Sequence, residues 1–393
     1  MDTDRLTRLI SLNLPLRVLR IRVIDWPLKD NYASFIDIDR AVAKHIERID
    51  HIVYSPASQK LRAIRLRHNF TMYPTRSHSK LHFFRDACRL AVKLHRRHRY
   101  HLIYTDDPMW SGLVGYLLKR LFKRPLLVMV HSDYYSNNAW RQENPRYYLD
   151  YLLSLWIIRK ADWIKAVSHQ IAKELVRLGA APGRITILPT LIRTGLFRMP
   201  IRALKPSQTD RFLFVGRLEK QKGLPFLLRA VADLVASGNP VYLTIAGEGS
   251  LRPKIENIIC RLGIQANVRL LGRQSHHQLQ DIYRSHRFLI LPSLHEGTPK
   301  AIVEAGLCGI PTIGTNVGGI PELVVSGETG LLVPPRNVPA LAKAIKILLD
   351  APHLARVMGR RAAKQYRDQF DFPVILSKLL SLYAAAALQT SKP

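Results

Sequence analysis

Acidic side chains are scarce in this chain: 29 Asp and Glu stand against 60 Lys and Arg in 393 residues, a formal charge of +31. That imbalance excludes an acidic, self-repelling surface and favours partners that carry phosphate or other anions. Cysteine is scarcer still. Cys88, Cys260 and Cys308 lie far apart; so few and so odd a set builds no disulfide framework and no thiolate metal site, and it suits a reducing, cytoplasmic compartment. His95, His98, His276 and His277 lack ligand spacing, and Asp106 and Asp107 are adjacent rather than spaced as an Asp-x-Asp clamp, so no metal and no resident cofactor is expected. No uninterrupted apolar run approaches the ~18 residues that span a bilayer. Arg and Pro interrupt the N-terminal apolar residues too often for a signal peptide. No solenoid repeat and no recognised nucleic-acid motif is present.

What is present is a globular composition, 47% hydrophobic, in a chain long enough for two cores. The basic excess is uneven. Residues 51–100 hold twelve basic residues and one acidic residue, Asp86, with Leu, Phe and Tyr interleaved. Nucleic acid, an anionic membrane or a phosphorylated acceptor would each match such a surface; a solvated face that only aids solubility is the plainer alternative.

Strand and helix patterns alternate along the whole chain. Residues 16–25 alternate apolar and basic and read as a first strand; 26–35 reads as a loop, 36–49 as a helix, 51–54 as a strand and 56–80 as irregular. An amphipathic helix follows at 82–98, with Phe83, Cys88, Leu90, Val92 and Leu94 as its apolar candidates. Strands at 101–105, 125–130, 162–166 and 185–188 alternate with helices at 110–122, 147–160 and 168–179. The apolar helix at 147–160 reads as core in preference to a membrane-facing element. A linker with Pro200, Pro206 and Ser207 spans 189–210. A second series then runs through strands at 211–215, 241–246, 268–271, 288–291 and 311–314, and helical patterns continue to 388. The fold class is therefore α/β, with two doubly wound domains.

Two stretches carry chemistry. From Phe288 to Pro335 a strand is followed by a polar turn with Glu296, a helix from Lys300 to Leu307 with Glu304, a second strand, a turn at Gly318 and Gly319, a helix start at Pro321 and a Gly-rich exit. Gly297, Thr298 and Pro299 place free helix N–H groups where an anion can reach them, and the glutamates can face one crevice from different heights. From Phe212 to Leu224 a buried strand ends at Gly216, which lets backbone approach a ligand, with Arg217 and Lys222 following. Two cations at one strand–helix junction suit a leaving diphosphate, although alone they read equally well as a solvated basic turn.

These motifs, together with Ala246–Gly249 and Leu270–Arg273, resemble the retaining glycosyltransferases of family 4. The resemblance is high over 205–340 and traceable over 100–195. It implies a GT-B architecture, two Rossmann-like domains facing across a cleft: 1–198 for the acceptor, 199–370 for the nucleotide sugar, and a helix in 371–393 packing back on the first domain. It implies that Arg217 and Lys222 hold the donor pyrophosphate, that Glu296 contacts sugar hydroxyls and Glu304 ribose hydroxyls, and that Gly297, Thr298, Pro299 and Lys300 offer backbone N–H contacts. His131 would reach toward the donor sugar, Gly216, Gly247 and Gly249 would flank the nucleotide, and Arg273 would lie at the base. One departure stands out: the family's Gly-Gly loop after the first strand is replaced by Asp25–Phe35, which has no glycine, with Asn31, Tyr32 or Ser34 as substitutes.

The implied function is metal-independent transfer of a hexosyl group from a UDP- or GDP-sugar to an acceptor hydroxyl, with retention. The basic first domain suggests a lipid-linked or phosphorylated saccharide acceptor, cell-envelope polysaccharide or lipopolysaccharide synthesis, and peripheral attachment to the cytoplasmic face of the inner membrane, with no nucleic-acid partner. Two alternatives stand beside this: an epimerase or hydrolase of the same fold acting on a nucleotide sugar, and a polyanion-binding protein with a vestigial sugar site.

Overall fold

The computed structural model describes residues 14–23, 33–59, 61–131, 135, 145–192, 194–197 and 211–388. The chain forms two compact units, Met1–Leu191 with Phe372–Pro393, and Ile192–Asp371. Each has its own apolar core.

In the first unit eight strands form one sheet in the order β3-β4-β2-β1-β5-β6-β7-β8. They are β1 (Leu14–Arg22), β2 (Ile46–Val53), β3 (Ile64–Arg67), β4 (Phe70–Pro74), β5 (Leu102–Thr105), β6 (Leu126–Val130), β7 (Trp163–Ala166) and β8 (Ile185–Ile187). All neighbours pair in parallel except β3 and β4. The connecting helices are α1 (Ala33–Val42), α2 (Lys80–His98), α3 (Trp110–Phe122), α4 (Pro145–Lys160) and α5 (His169–Arg177). Ser79 caps α2 and Ser168 caps α5, each accepting a backbone N–H of the first turn.

Two expectations change here. The helix read over 36–49 ends at Val42, and Ile46 begins β2. Ile46, Ile49 and Ile52 recur every three residues, which mimics a helix, yet all are buried in a strand paired with β1; parallel pairing overrides the local period. The stretch 56–80 is not irregular throughout: β3 and β4 form an antiparallel pair at the sheet edge, with Phe70 and Met72 buried and Arg65 and Arg67 outward. On α2 the buried residues are Phe83, Ala87, Ala91 and Leu94, while Cys88, Leu90 and Val92 are half-buried. Asp25 to Tyr32 of the glycine-free loop, and 198–210 of the linker, lie outside the described residues.

The second unit holds a parallel sheet ordered β11-β10-β9-β12-β13-β14: β9 (Arg211–Val215), β10 (Tyr242–Ala246), β11 (Val268–Gly272), β12 (Leu289–Leu291), β13 (Thr312–Thr315) and β14 (Gly330–Val333). The Gly-rich exit is thus itself a strand: Gly330 fits because a Cβ there would fall 2.1 Å from the Thr312 carbonyl. The helices are α6 (Leu224–Ala236), α7 (Arg252–Arg261), α8 (His276–Arg284), α9 (Lys300–Leu307), α10 (Ile320–Leu323), α11 (Val338–Asp350) and α12 (Pro352–Gln369). The 3-10 turn Thr194–Phe197 buries Phe197 against Tyr283, so the chain joins this core soon after Ile192.

The last helix, α13 (Phe372–Leu388), belongs to the first unit and packs on α1, β1 and β5. The helical stretch Pro352–Leu388 is long and apolar enough to cross a membrane by length and composition. Its second half, however, buries Ile375, Leu379, Leu380 and Tyr383 in the first core, with Tyr383 edge-on to Tyr104 at 5.5 Å.

Candidate active site

In the second sheet β9 lies beside β12, and the chain proceeds outward from that pair in both directions. The carboxyl ends of β9 and β12 therefore flank a topological switch point, where parallel sheets leave a crevice for ligands. The exit of β9 supplies Gly216, Arg217, Lys222 and Gly223; the exit of β12 supplies the turn from Ser293 to Lys300. These turns are joined. Leu294 N–H donates to the Gln221 carbonyl at 2.7 Å. The Lys222 ammonium pairs with Glu296 Oε1, both side chains being largely buried. Ser293 Oγ donates to the same oxygen at 2.8 Å, and Thr315 Oγ1 holds the Ser293 carbonyl at 2.5 Å.

Glycine makes this closeness feasible. Gly318 has φ +52°, and a Cβ there would lie 1.9 Å from the Glu296 carbonyl; Gly223 has φ +64°, with a Cβ 2.0 Å from the Pro292 carbonyl. Gly247 and Gly249 serve the neighbouring strand end: their Cβ atoms would fall 1.8 Å from the Gly216 carbonyl and 2.5 Å from the Leu218 carbonyl. Gly247 N–H donates to the Gly272 carbonyl at 2.8 Å, which brings Arg273 to the same rim. Arg217 and Arg273 are exposed and hold no partner among the described residues.

Helix α9 begins after Pro299 with no side-chain cap, so its first-turn N–H groups and positive dipole end face the turn of Gly297 and Thr298. One turn further on, Glu304 is buried, 6% exposed. Tyr283 on α8 donates its hydroxyl to Glu304 Oε2 at 3.0 Å; Oε1 has no donor among the described residues. Burial pushes the Glu304 pKa up, against the pull of His276, Lys300 and the Tyr283 hydrogen bond. Burial and the Glu304 charge likewise raise Tyr283 well above its ordinary value. A buried carboxylate with an open oxygen is suited to accept hydroxyl protons from a vicinal diol.

His131 belongs to the first unit, one residue beyond β6, and is exposed. Its Nδ1 lies 3.0 Å from the Asp106 carbonyl. A carbonyl only accepts, so Nδ1 carries the proton in the neutral ring. Behind it, Arg20 and Arg22 of β1 pair with Asp39 of α1 and with Asp106.

The structure thus gathers Gly216, Arg217, Lys222, Gly247, Gly249, Arg273 and Glu296 to Lys300 on the strand ends of the second unit, with Glu304 one helical turn behind and His131 in the first unit. Sequence reasoning missed Ser293, Tyr283 and the role of Gly318 against Glu296. Ser293 had one signal, its place immediately before the polar turn; Tyr283 had none, because an aromatic on an amphipathic helix reads as core.

Two family descriptions match the chain: "Glycosyltransferase Family 4" over residues 40–196 and "Glycosyl transferases group 1" over residues 199–365. A D-inositol 3-phosphate glycosyltransferase of Catenulispora acidiphila is 31% identical over 310 residues, covering 74% of this chain and 72% of that protein. A glycogen synthase of Mycobacterium tuberculosis is 30% identical over 266 residues, 67% of this chain; the match spans 62% of the glycogen synthase's length. Among solved structures, Anabaena HepE in complex with UDP and glucose superposes with a TM-score of 0.74 at 20% identity, over 94% of this chain and 100% of HepE.

Proposed function

Since the chain belongs to glycosyltransferase family 4, we propose that it moves a sugar from a UDP- or GDP-sugar to an acceptor hydroxyl with retention at the anomeric carbon. The observation that carries this reading is the switch-point cluster: Lys222 bound to Glu296, unmatched Arg217, an uncapped helix start and a buried Glu304.

In the proposed reaction Glu304 accepts the ribose hydroxyls and Glu296 the sugar hydroxyls. Arg217, Lys222 and the α9 N-terminus receive the diphosphate. As the bond from anomeric carbon to phosphate oxygen breaks, the leaving oxygen gains charge, and fixed cations and N–H groups stabilise it by on the order of 3 kcal/mol per strong donor. The acceptor oxygen bonds the same face of that carbon, and its proton passes to the departing phosphate oxygen. No step requires a metal, because the cations already compensate the charge.

The acceptor is a lipid-linked or phosphorylated saccharide of cell-envelope polysaccharide or lipopolysaccharide synthesis, met at an anionic cytoplasmic membrane face. The basic surface over 51–100, with outward Arg62, Arg65, Arg67, Arg89, Arg96 and Arg97, supports this. HepE, of the same fold, was solved with UDP and glucose, so UDP-glucose is the first donor to assay. Calorimetry with UDP-, GDP- and ADP-sugars names the nucleotide. Product analysis with and without acceptor tests the transfer: sugar release or epimerisation that needs no acceptor overturns it.

A further inference from the structure

Six exposed large apolar side chains of the first unit lie together on two adjacent helices. They are Leu117 and Leu121 on α3, and Tyr148, Leu149, Leu152 and Trp156 on α4. Both helices cross between successive parallel strands, β5 to β6 and β6 to β7, so they run side by side in one direction. They are locked together: Tyr116 packs edge-on to Trp156 at 4.5 Å, and Trp110 Nε1 donates to Asp150 at 3.0 Å. Leu117 and Leu121 are four apart, as are Tyr148, Leu152 and Trp156, so each helix carries an apolar stripe on its outer face.

Each stripe ends in cations. Arg120 extends the α3 stripe and Arg124 follows beyond the left-handed Lys123 that ends the helix; Arg159, whose Nε donates to the Leu178 carbonyl at 3.2 Å, and Lys160 end the α4 stripe; all four are exposed. Helix α3 has no acidic residue, and the only acid of α4, Asp150, is engaged by Trp110. The neighbouring α2, whose His95 stacks on Phe122 at 3.9 Å, adds Arg96 and Arg97. A second copy of the chain on this face would set cations against cations. Leucines beside Trp and Tyr, bordered by Lys and Arg, match instead the boundary between acyl chains and anionic headgroups.

We propose that the outer face of α3 and α4 is a membrane-insertion surface: Leu117, Leu121, Leu149, Leu152 and Trp156 enter the headgroup–acyl boundary of an anionic bilayer, while Arg120, Arg124, Arg159 and Lys160 hold its phosphates. It rests on the reading of the first unit as membrane-facing and goes beyond it, since charge on 51–100 alone gives attraction without insertion.

The test uses the full chain and co-sedimentation with vesicles of phosphatidylcholine, with and without phosphatidylglycerol. The variant Leu121→Ser/Leu152→Ser/Trp156→Ser, at exposed positions, should bind anionic vesicles at least about tenfold more weakly, and the deficit should persist at high salt. Reversing Arg120, Arg124 and Arg159 to Glu should cost about fivefold per cation at low salt, a loss that salt erases. As a second readout, wild-type tryptophan emission should shift to the blue on vesicle addition, and Trp156→Phe should lack most of that shift. Triple-variant binding equal to wild type, with an undiminished shift in Trp156→Phe, overturns the proposal. So does a wild-type dimer that the triple variant turns into a monomer. Wild type that ignores anionic vesicles overturns both this and the membrane part of the functional reading, whereas donor turnover in solution tests the transferase separately.

Discussion

The two units both gather charge at the carboxyl ends of their strands and treat it in opposite ways. In the first, Arg20 and Arg22 each meet both Asp39 and Asp106, closing a ring of four residues that are all less than 10% exposed. Burial alone would raise the Asp106 pKa, yet the two guanidiniums overcome it and hold that carboxyl below its ordinary range. In the second unit Arg217 and Arg273 stand without partners among the described residues, and Glu304 is buried against a phenol with one oxygen that no described residue engages. The proposed function makes the first ring architecture and gives the unmatched cations of the second unit, with the Lys222–Glu296 pair beside them, to the donor. The same residue types therefore predict different losses.

The largest effect should fall on the ring. Asp106→Ala leaves two buried guanidiniums short of a carboxylate and should destabilise the first unit by about 3–5 kcal/mol, read as a lower urea midpoint. An unchanged midpoint would mean that the ring contributes no architecture, and the contrast between the units would collapse. On the open side, Arg217→Ala should leave the melting temperature within about 1 °C, because the side chain is exposed, and lower donor turnover about a hundredfold. Turnover equal to wild type would remove Arg217 from the leaving-group clamp.

Glu304→Gln sharpens the comparison further. Losing a charged acceptor for the ribose hydroxyls should weaken nucleotide binding by about 1.5–3 kcal/mol, measured by calorimetry. Stability of the ligand-free protein should not fall, since a neutral amide relieves the desolvation that raises the Glu304 pKa. A variant that binds normally but melts early would make Glu304 structural instead.

What was legible in the sequence followed from locality. The glycines at 216, 247 and 249 and the two glutamates lie within single strand–turn–helix units, so their order and spacing are legible, although the carbonyls that crowd Gly223, Gly247 and Gly318 come from turns distant in the sequence. Most of the sheet was legible because parallel strands buried on both faces read as short apolar runs. What was hidden is non-local: Lys222 meets Glu296 across 74 positions, Tyr283 meets Glu304 across 21, and Arg20 meets Asp106 across 86. The alternating arginines of β1 looked like a strand with a basic face, and nothing within β1 showed that Arg20 and Arg22 would be buried among carboxylates. Helix period over 36–49 misled for the same reason, since the neighbour that makes Ile46–Val53 a strand is β1, more than twenty residues upstream.

The smallest expected effect is a pH dependence, and its sign follows from Glu304. Its carboxyl is raised from 4.5 in the folded, ligand-free protein, chiefly by burial. A raised carboxyl contributes stability that is fully present below the unfolded value and lost as pH rises through the folded one. Ligand-free stability should therefore carry a component that declines with rising pH over that window, and Glu304→Gln should lack it. A ribose diol donates to the ionised carboxylate, so nucleotide affinity should move the other way, strengthening as pH rises through the same window with release of a proton. Calorimetry in buffers of differing ionisation enthalpy measures that proton directly. Binding that takes up a proton there, or releases none, would mean that the nucleotide does not engage Glu304 as a carboxylate, and the unmatched charge of the second unit would need another ligand.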